Sequence, residues 1–266
     1  MDVNGEEVVA HYGDARREHS FLRGAAGVFD LSFRGRLCLT GADRQRFLNG
    51  QVTNNVSELK SGQGCYAALI TAKGKMVSDL NIHLLENEIL LDFEPGLTEA
   101  VTARLEKYII ADDVQVMDVA PHYGLLSVQG PKAEMVMRQS ETELEPPAQP
   151  LSGCSRKDAT LGEIYLMNHP RFGMMGFDLF APMAGLESLA ENLRASAQSG
   201  GGGLCGWEAM EMVRIEGGIP RFGADMDDSN LPPEAGLEAR AISYTKGCYI
   251  GQEVILRLNT YEKVQR

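Results

Sequence analysis

The chain has 266 residues, 44% of them hydrophobic and 23% charged, an ordinary composition for a soluble fold with room for about two domains of ~150 residues. Its formal net charge of −12 argues against broad phosphate binding, because duplex affinity rests on lysine and arginine neutralising phosphates, so no direct nucleic-acid contact is expected. No apolar run approaches the ~18–20 residues of a membrane span, and the acidic start lacks a charged-then-apolar signal, so the reading is a cytoplasmic protein without a membrane partner. The cysteines Cys38, Cys65, Cys154, Cys205 and Cys248 are dispersed and never spaced C-x-x-C, and the histidines form no H-x-x-x-H pair. Neither a disulfide framework nor a metal site is therefore expected.

In chain order, His11-Tyr12-Gly13-Asp14 leads irregularly into a first helix. Residues 27–32 and 36–40 are short apolar runs separated by Phe33-Arg34-Gly35 and read as adjacent strands, and Gly41-Ala42-Asp43 starts a helix. Residues 65–71 form a strand, 72–75 a tight connection, and 76–85 a second strand. On that strand Asp79 shares a face with Val77, opposite Leu80, Ile82 and Leu84. An unpaired buried carboxylate costs several kcal/mol, so this face is either wet or turned to a ligand's nitrogen. Tyr66, on the preceding strand, either packs on a flat ligand or fills core. Residues 88–93 read as a strand and 96–110 as a helix with a core stripe of Leu97, Val101, Leu105 and Tyr108. Residues 114–119 and 124–128 return as strands, after which Pro131 opens a helix.

Residues 141–153 are rich in Glu, Pro, Gln and Ser and read as a linker or long surface loop near the midpoint. Two strands at 163–168 and 174–180, a helix at 186–197, a flexible glycine turn at 200–203 and a helix ending at Gly217-Gly218 follow. An acidic, proline-containing loop then runs to Gly236. The densest chemistry is Lys246-Gly247-Cys248-Tyr249-Ile250-Gly251-Gln252-Glu253, with Arg257 beyond it, preceding a run at 254–256 that reads as buried. A lysine and an arginine flanking Cys248 would favour its thiolate, the reactive form, while a turn over a small buried thiol accounts for the same residues.

That segment resembles the signature K-G-C-[FY]-x-G-Q-E followed by arginine of the YgfZ family of folate-binding proteins. Those proteins resemble the glycine cleavage T protein, an aminomethyltransferase using tetrahydrofolate, and are implicated in iron–sulfur cluster maturation and tRNA modification. Asp30-Leu31-Ser32, Thr40-Gly41-Ala42-Asp43, Thr53-Asn54-Asn55-Val56 and Leu126 to Gln129-Gly130-Pro131 are similar to T-protein segments as well. Gly74-Lys75-Met76-Val77-Ser78-Asp79 is similar to G-G-x-x-D-D, with the first aspartate replaced by Ser78 and the catalytic position falling on Asp79. The resemblance implies Tyr66, Asp79 and Asp178 of Gly176-Phe177-Asp178 as contacts to tetrahydrofolate or a one-carbon derivative. It also implies Cys248 as a reactive thiol positioned by Lys246, Gln252, Glu253 and Arg257. Arg214 and Glu216 match A-R-D-x-L-R-x-E, but Met210 replaces a folate-holding arginine and Glu211 an aspartate.

The implied fold is α+β, with two mixed sheet-and-helix halves around a central folate cavity, 1–145 and 146–256, and with 257–266 the start of a C-terminal β-barrel otherwise missing. The implied role is folate-dependent support of iron–sulfur proteins or their assembly machinery and of tRNA modification. An aminomethyl or one-carbon transferase and a non-catalytic adaptor are the alternatives.

Overall fold

A computed structural model describes residues 1–140, 142–159 and 162–261. A short hairpin of β1 (Asp2–Val3) and β2 (Glu6–Glu7) precedes α1 (Ala15–Gly24), whose first amides are capped by the Asp14 carboxylate. Then come β3 (Gly27–Asp30), β4 (Gly35–Thr40), α2 (Arg44–Asn49), β5 (Gln63–Ile70), β6 (Met76–Leu84), β7 (Ile89–Phe93), α3 (Thr98–Glu106) and β8 (Gln115–Asp118). The middle of the chain supplies β9 (Tyr123–Gln129), α4 (Ala133–Gln139), β10 (Gly153–Asp158), β11 (Gly162–Asn168) and β12 (Gly176–Pro182). After these come α5 (Met183–Ser199), β13 (Gly203–Leu204), α6 (Trp207–Glu216), a 3-10 turn at Pro232–Ala235, α7 (Glu238–Ala241) and α8 (Gln252–Tyr261).

The chain forms two compact units, each from two stretches: residues 1–34 with 120–219, and 35–119 with the described residues from 220 onward. The expected division was into consecutive halves at 145/146, whereas these units are interleaved. The proline-rich residues 142–150 lack helix and strand but lie within the first unit, and Glu141 lies outside the described residues.

In the first unit a six-stranded sheet has the order β10-β11-β12-β9-β3-β13, antiparallel except for β3 with β13. Val28, Leu126, Val128, Leu166, Phe177 and Leu179 pack against α4 and α5, where Leu186, Leu189, Leu193 and Ala197 recur at helical spacing. The second unit holds an antiparallel five-stranded sheet, β5-β6-β7-β4-β8. On one face Leu37, Leu39, Leu69, Leu80, Ile82 and Leu91 pack against Phe47 of α2 and Val101 and Leu105 of α3. On the other, Tyr66, Ala68 and Ile70 are covered by Leu237, Ala241, Ile242, Tyr249 and Ile255 from the C-terminal stretch.

Several expectations are corrected. β3 and β4 are not neighbours: β3 pairs with β9 and β13, while β4 pairs with β7 and β8. The few residues between them are where one unit ends and the next begins. β10 went unseen because its sequence GCSRKD has no apolar alternation, and it exists through full-length pairing with β11. The run at 254–256 is helical, so Ile255 is buried while Leu256 is exposed, as a turn of about 100° per residue requires. Residues 257–261, expected as the start of a barrel, continue α8, and 262–266 lie outside the described residues. Among the described residues no helix is long and apolar enough to cross a membrane.

Candidate functional site

The sheet of the second unit places Ala68 opposite Asp79 and Tyr66 opposite Asn81, so Tyr66 and Asp79 are diagonal neighbours on one face. The Tyr66 hydroxyl donates to Asp79 Oδ2 at 2.8 Å. Burial, then the charge of Asp79, pushes the Tyr66 phenol well above its ordinary value, so it remains a donor at neutral pH. Arg240 of α7 lies over the Tyr66 ring, 4.9 Å from its centroid. A register shift at Leu69/Ile70 alters the expected alternation. Met76 joins the cluster on the Tyr66 face, and Val77 packs against the opposite core instead of sharing a face with Asp79.

The polar face continues across the sheet. Asn81 Nδ2 donates to Asp92 Oδ2 at 2.8 Å, and Asp92 pairs in register with Arg36 of β4, both fully buried. Sequence reasoning singled out Asp79 and missed Asn81, Asp92, Arg36 and Arg240. One signal was present: polar residues at 79, 81 and 83 alternate with Leu80, Ile82 and Leu84, a two-residue period pointing to a whole polar face.

The Lys246–Glu253 segment is tied to the loop after α2. Lys246 Nζ donates to the carbonyls of Asn49 at 2.6 Å, Val52 at 2.7 Å and Asn54 at 2.7 Å. Burial lowers its pKa to about 8, yet three carbonyls call for the three N–H groups of the ammonium form. All three N–H groups are thereby engaged, and Lys246 makes an anchoring contact. Tyr249 is buried beneath, with Lys246 Nζ 4.9 Å from its ring centroid. Gly251 adopts φ +85°, and a Cβ there would lie 2.4 Å from the Thr71 carbonyl oxygen. Cys248 is exposed, as are Gly247, Glu253 and Arg257, whereas Gln252 is half-buried. Cys65, on β5, is buried, and burial pushes its thiol up to about 12.

Asp178 belongs to the first unit, on β12, and is fully buried. His169 Nδ1 lies 2.6 Å from its Oδ2, and Arg171 donates through Nε at 3.0 Å and Nη2 at 2.8 Å. Complete burial pushes the carboxyl pKa up, but the charges and hydrogen bonds of Arg171 and His169 outweigh it and hold the group well below the usual carboxylate range. A pterin contact would have to reach a carboxylate with no exposed surface. On α6, Met210 is buried and Arg214 grips Glu211 with two hydrogen bonds, at 2.7 and 2.6 Å.

A family model described as GCVT N-terminal domain matches residues 1–246. The chain belongs to this family. Among its relatives, an aminomethyltransferase of Geobacillus kaustophilus is 29% identical over 259 residues, covering 97% of this chain and 71% of the relative. An aminomethyltransferase of Corynebacterium jeikeium is 27% identical over 271 residues, covering 96% and 70%. The fold is that of the glycine cleavage system aminomethyltransferase T from Bartonella henselae. The TM-score is 0.87 at 24% identity, over 98% of this chain and 71% of that one. In this GCVT N-terminal domain chain the match ends at Lys246, so Gly247 to Arg257 lie past the family model.

Proposed function

We propose that the chain binds tetrahydrofolate or a one-carbon derivative on the polar face of β5 and β6 and acts in folate-dependent transfer of an aminomethyl or other one-carbon unit, in the cytoplasm. The observation that carries this reading is the hydrogen bond from Tyr66 to the half-buried Asp79. A carboxylate held by a donor that does not ionise at neutral pH suits a ligand rich in N–H groups, so the residues fit the cofactor. Bound tetrahydrofolate would supply the nitrogen that carries the carbon unit. Asp79 would accept a hydrogen bond or proton from the ligand, Tyr66 would aim that carboxylate, and Arg240 would steady the Tyr66 ring. Asp178, with its carboxylate already engaged, is left out of the ligand contacts. The names of the relatives support this reading.

The test is aminomethyl transfer to tetrahydrofolate with the lipoyl partner protein, run beside calorimetric titration of the folate. Transfer is expected, and Asp79→Asn should lower it at least about a hundredfold while the protein stays folded. Folate binding without transfer would overturn the transferase reading.

A second reading, YgfZ-type support of iron–sulfur enzymes and tRNA modification, draws on the exposed Cys248 beside an anchored lysine and on Met210. It expects Cys248→Ala to lose function in a strain lacking the protein. Absence of folate binding would count against both readings and leave a non-catalytic adaptor.

A further inference from the structure

The first unit carries a cavity of about 160 Å³ between the N-terminal segment, the end of β3 and the start of α6. Tyr12, Phe33 and Trp207 supply aromatic walls, Met210 lies beside them, and Glu7 and Asp30 are the charged residues. No lysine, arginine or histidine is among the lining residues described. Phe33 and Trp207 meet edge to face with centroids 5.7 Å apart. Immediately behind the lining, the Glu18 carboxylate accepts the backbone N–H of Tyr12 at 2.6 Å and of Gly206 at 2.9 Å, and it is only 3% exposed. Among the described residues no cationic side chain pairs with Glu7, Glu18 or Asp30.

Aromatic faces carry negative potential, and these carboxylates add to it without a counter-ion. The Tyr12 phenol registers this field: burial raises its pKa first, and the charges of Asp30 and Glu18 raise it further. An anion would be repelled here, and a neutral apolar group would leave the field uncompensated. A cavity near 150 Å³ accommodates about six heavy atoms, enough for a methylated amine. We propose that this cavity binds a small alkylammonium group, through residues that have none in common with the Tyr66–Asp79 face.

Trp207 is the single tryptophan of the chain, so intrinsic fluorescence reads the cavity directly. The full chain would be titrated with tetramethylammonium chloride, with sodium chloride at matched ionic strength and with 2-methylpropan-2-ol as the neutral isostere. A saturable response to tetramethylammonium is expected, none to sodium chloride, and binding of the alcohol at least about tenfold weaker. Asp30→Asn and Phe33→Leu should each raise the Kd about three- to thirtyfold. Thermal unfolding would confirm that each variant is folded, with Tyr12→Leu substituting for either that is not. No saturable response, equal binding of the alcohol, or an unchanged Kd in the folded variants would overturn the proposal.

Discussion

Tyr66 and Asp79 stand on neighbouring strands one diagonal step apart, a relation fixed by the pairing of Ala68 with Asp79. Tyr66→Phe keeps the ring and removes the donor to a half-buried carboxylate. Folate affinity should fall about tenfold or more by calorimetry, since hydrogen bonds to charged groups contribute roughly 1.5–3 kcal/mol. Unchanged affinity would remove Asp79 from the ligand contacts. Asp178 predicts a pH effect in the first unit. Its folded pKa lies below the unfolded value of 3.8, so its contribution to stability is fully present above about pH 4 and is lost as pH falls toward the folded value. Asp178→Asn should cost about 3–5 kcal/mol at neutral pH, because it breaks a buried ion pair with the Arg171 side chain, 7% exposed. It should also flatten the loss of stability below about pH 4, and denaturant midpoints from pH 6 to 3 would show an unchanged slope if the assignment were wrong. Sequence could nominate these carboxylates, since charge in an apolar strand is visible in one dimension. It could not tell that Asp79 accepts from a tyrosine while Asp178 is enclosed by His169 and Arg171, because side-chain contacts are set by chain folding.

At the scale of elements, Lys246 fastens the loop after α2 to the segment that leads into α8. Lys246→Met should destabilise the second unit by about 3 kcal/mol, since one buried and two part-buried carbonyls lose their donor. Lys246→Arg should not restore it, because a planar guanidinium fork presents its donors differently from an ammonium. Urea unfolding of both variants checks this, and parent-like midpoints would show that water satisfies the carbonyls. The lysine and the glycines of this segment were legible as unusual, and Gly251 keeps the backbone role expected of a glycine beside close backbone. The direction of the ammonium was not legible, because its acceptors lie more than 190 residues earlier in the chain. Strand order escaped sequence reading for the same reason. Apolar alternation marks a strand and its faces, whereas the partner strand is chosen by packing.

At the scale of the whole molecule, each unit needs two separated stretches of chain. Separate expression of 1–145 and 146–266 should give two poorly folded fragments, the second lacking β3 and β9 of the first unit's sheet. Mixing them should recover native-like amide dispersion in NMR spectra. Two independently folded fragments would contradict the interleaving.

By itself the sequence determined most of the strands and helices, though not β10 or α8, the mixed α+β class, the T-protein likeness, and the placement of Tyr66, Asp79 and the Lys246–Glu253 segment among the chemically unusual residues. Local periodicity, turn chemistry and charge in apolar context are all properties of neighbours in the chain. Only the tertiary structure decided that β3 and β4 join different sheets, that Asp178 is enclosed by His169 and Arg171, that Lys246 serves three distant carbonyls, and that aromatic and acidic side chains around Tyr12 and Trp207 share one cavity. The separation of β3 from β4, the Lys246 contacts and the cavity depend on residues far apart in sequence, and the enclosure of Asp178 depends on the pairing of β11 with β12; all follow burial of the sheets' apolar faces.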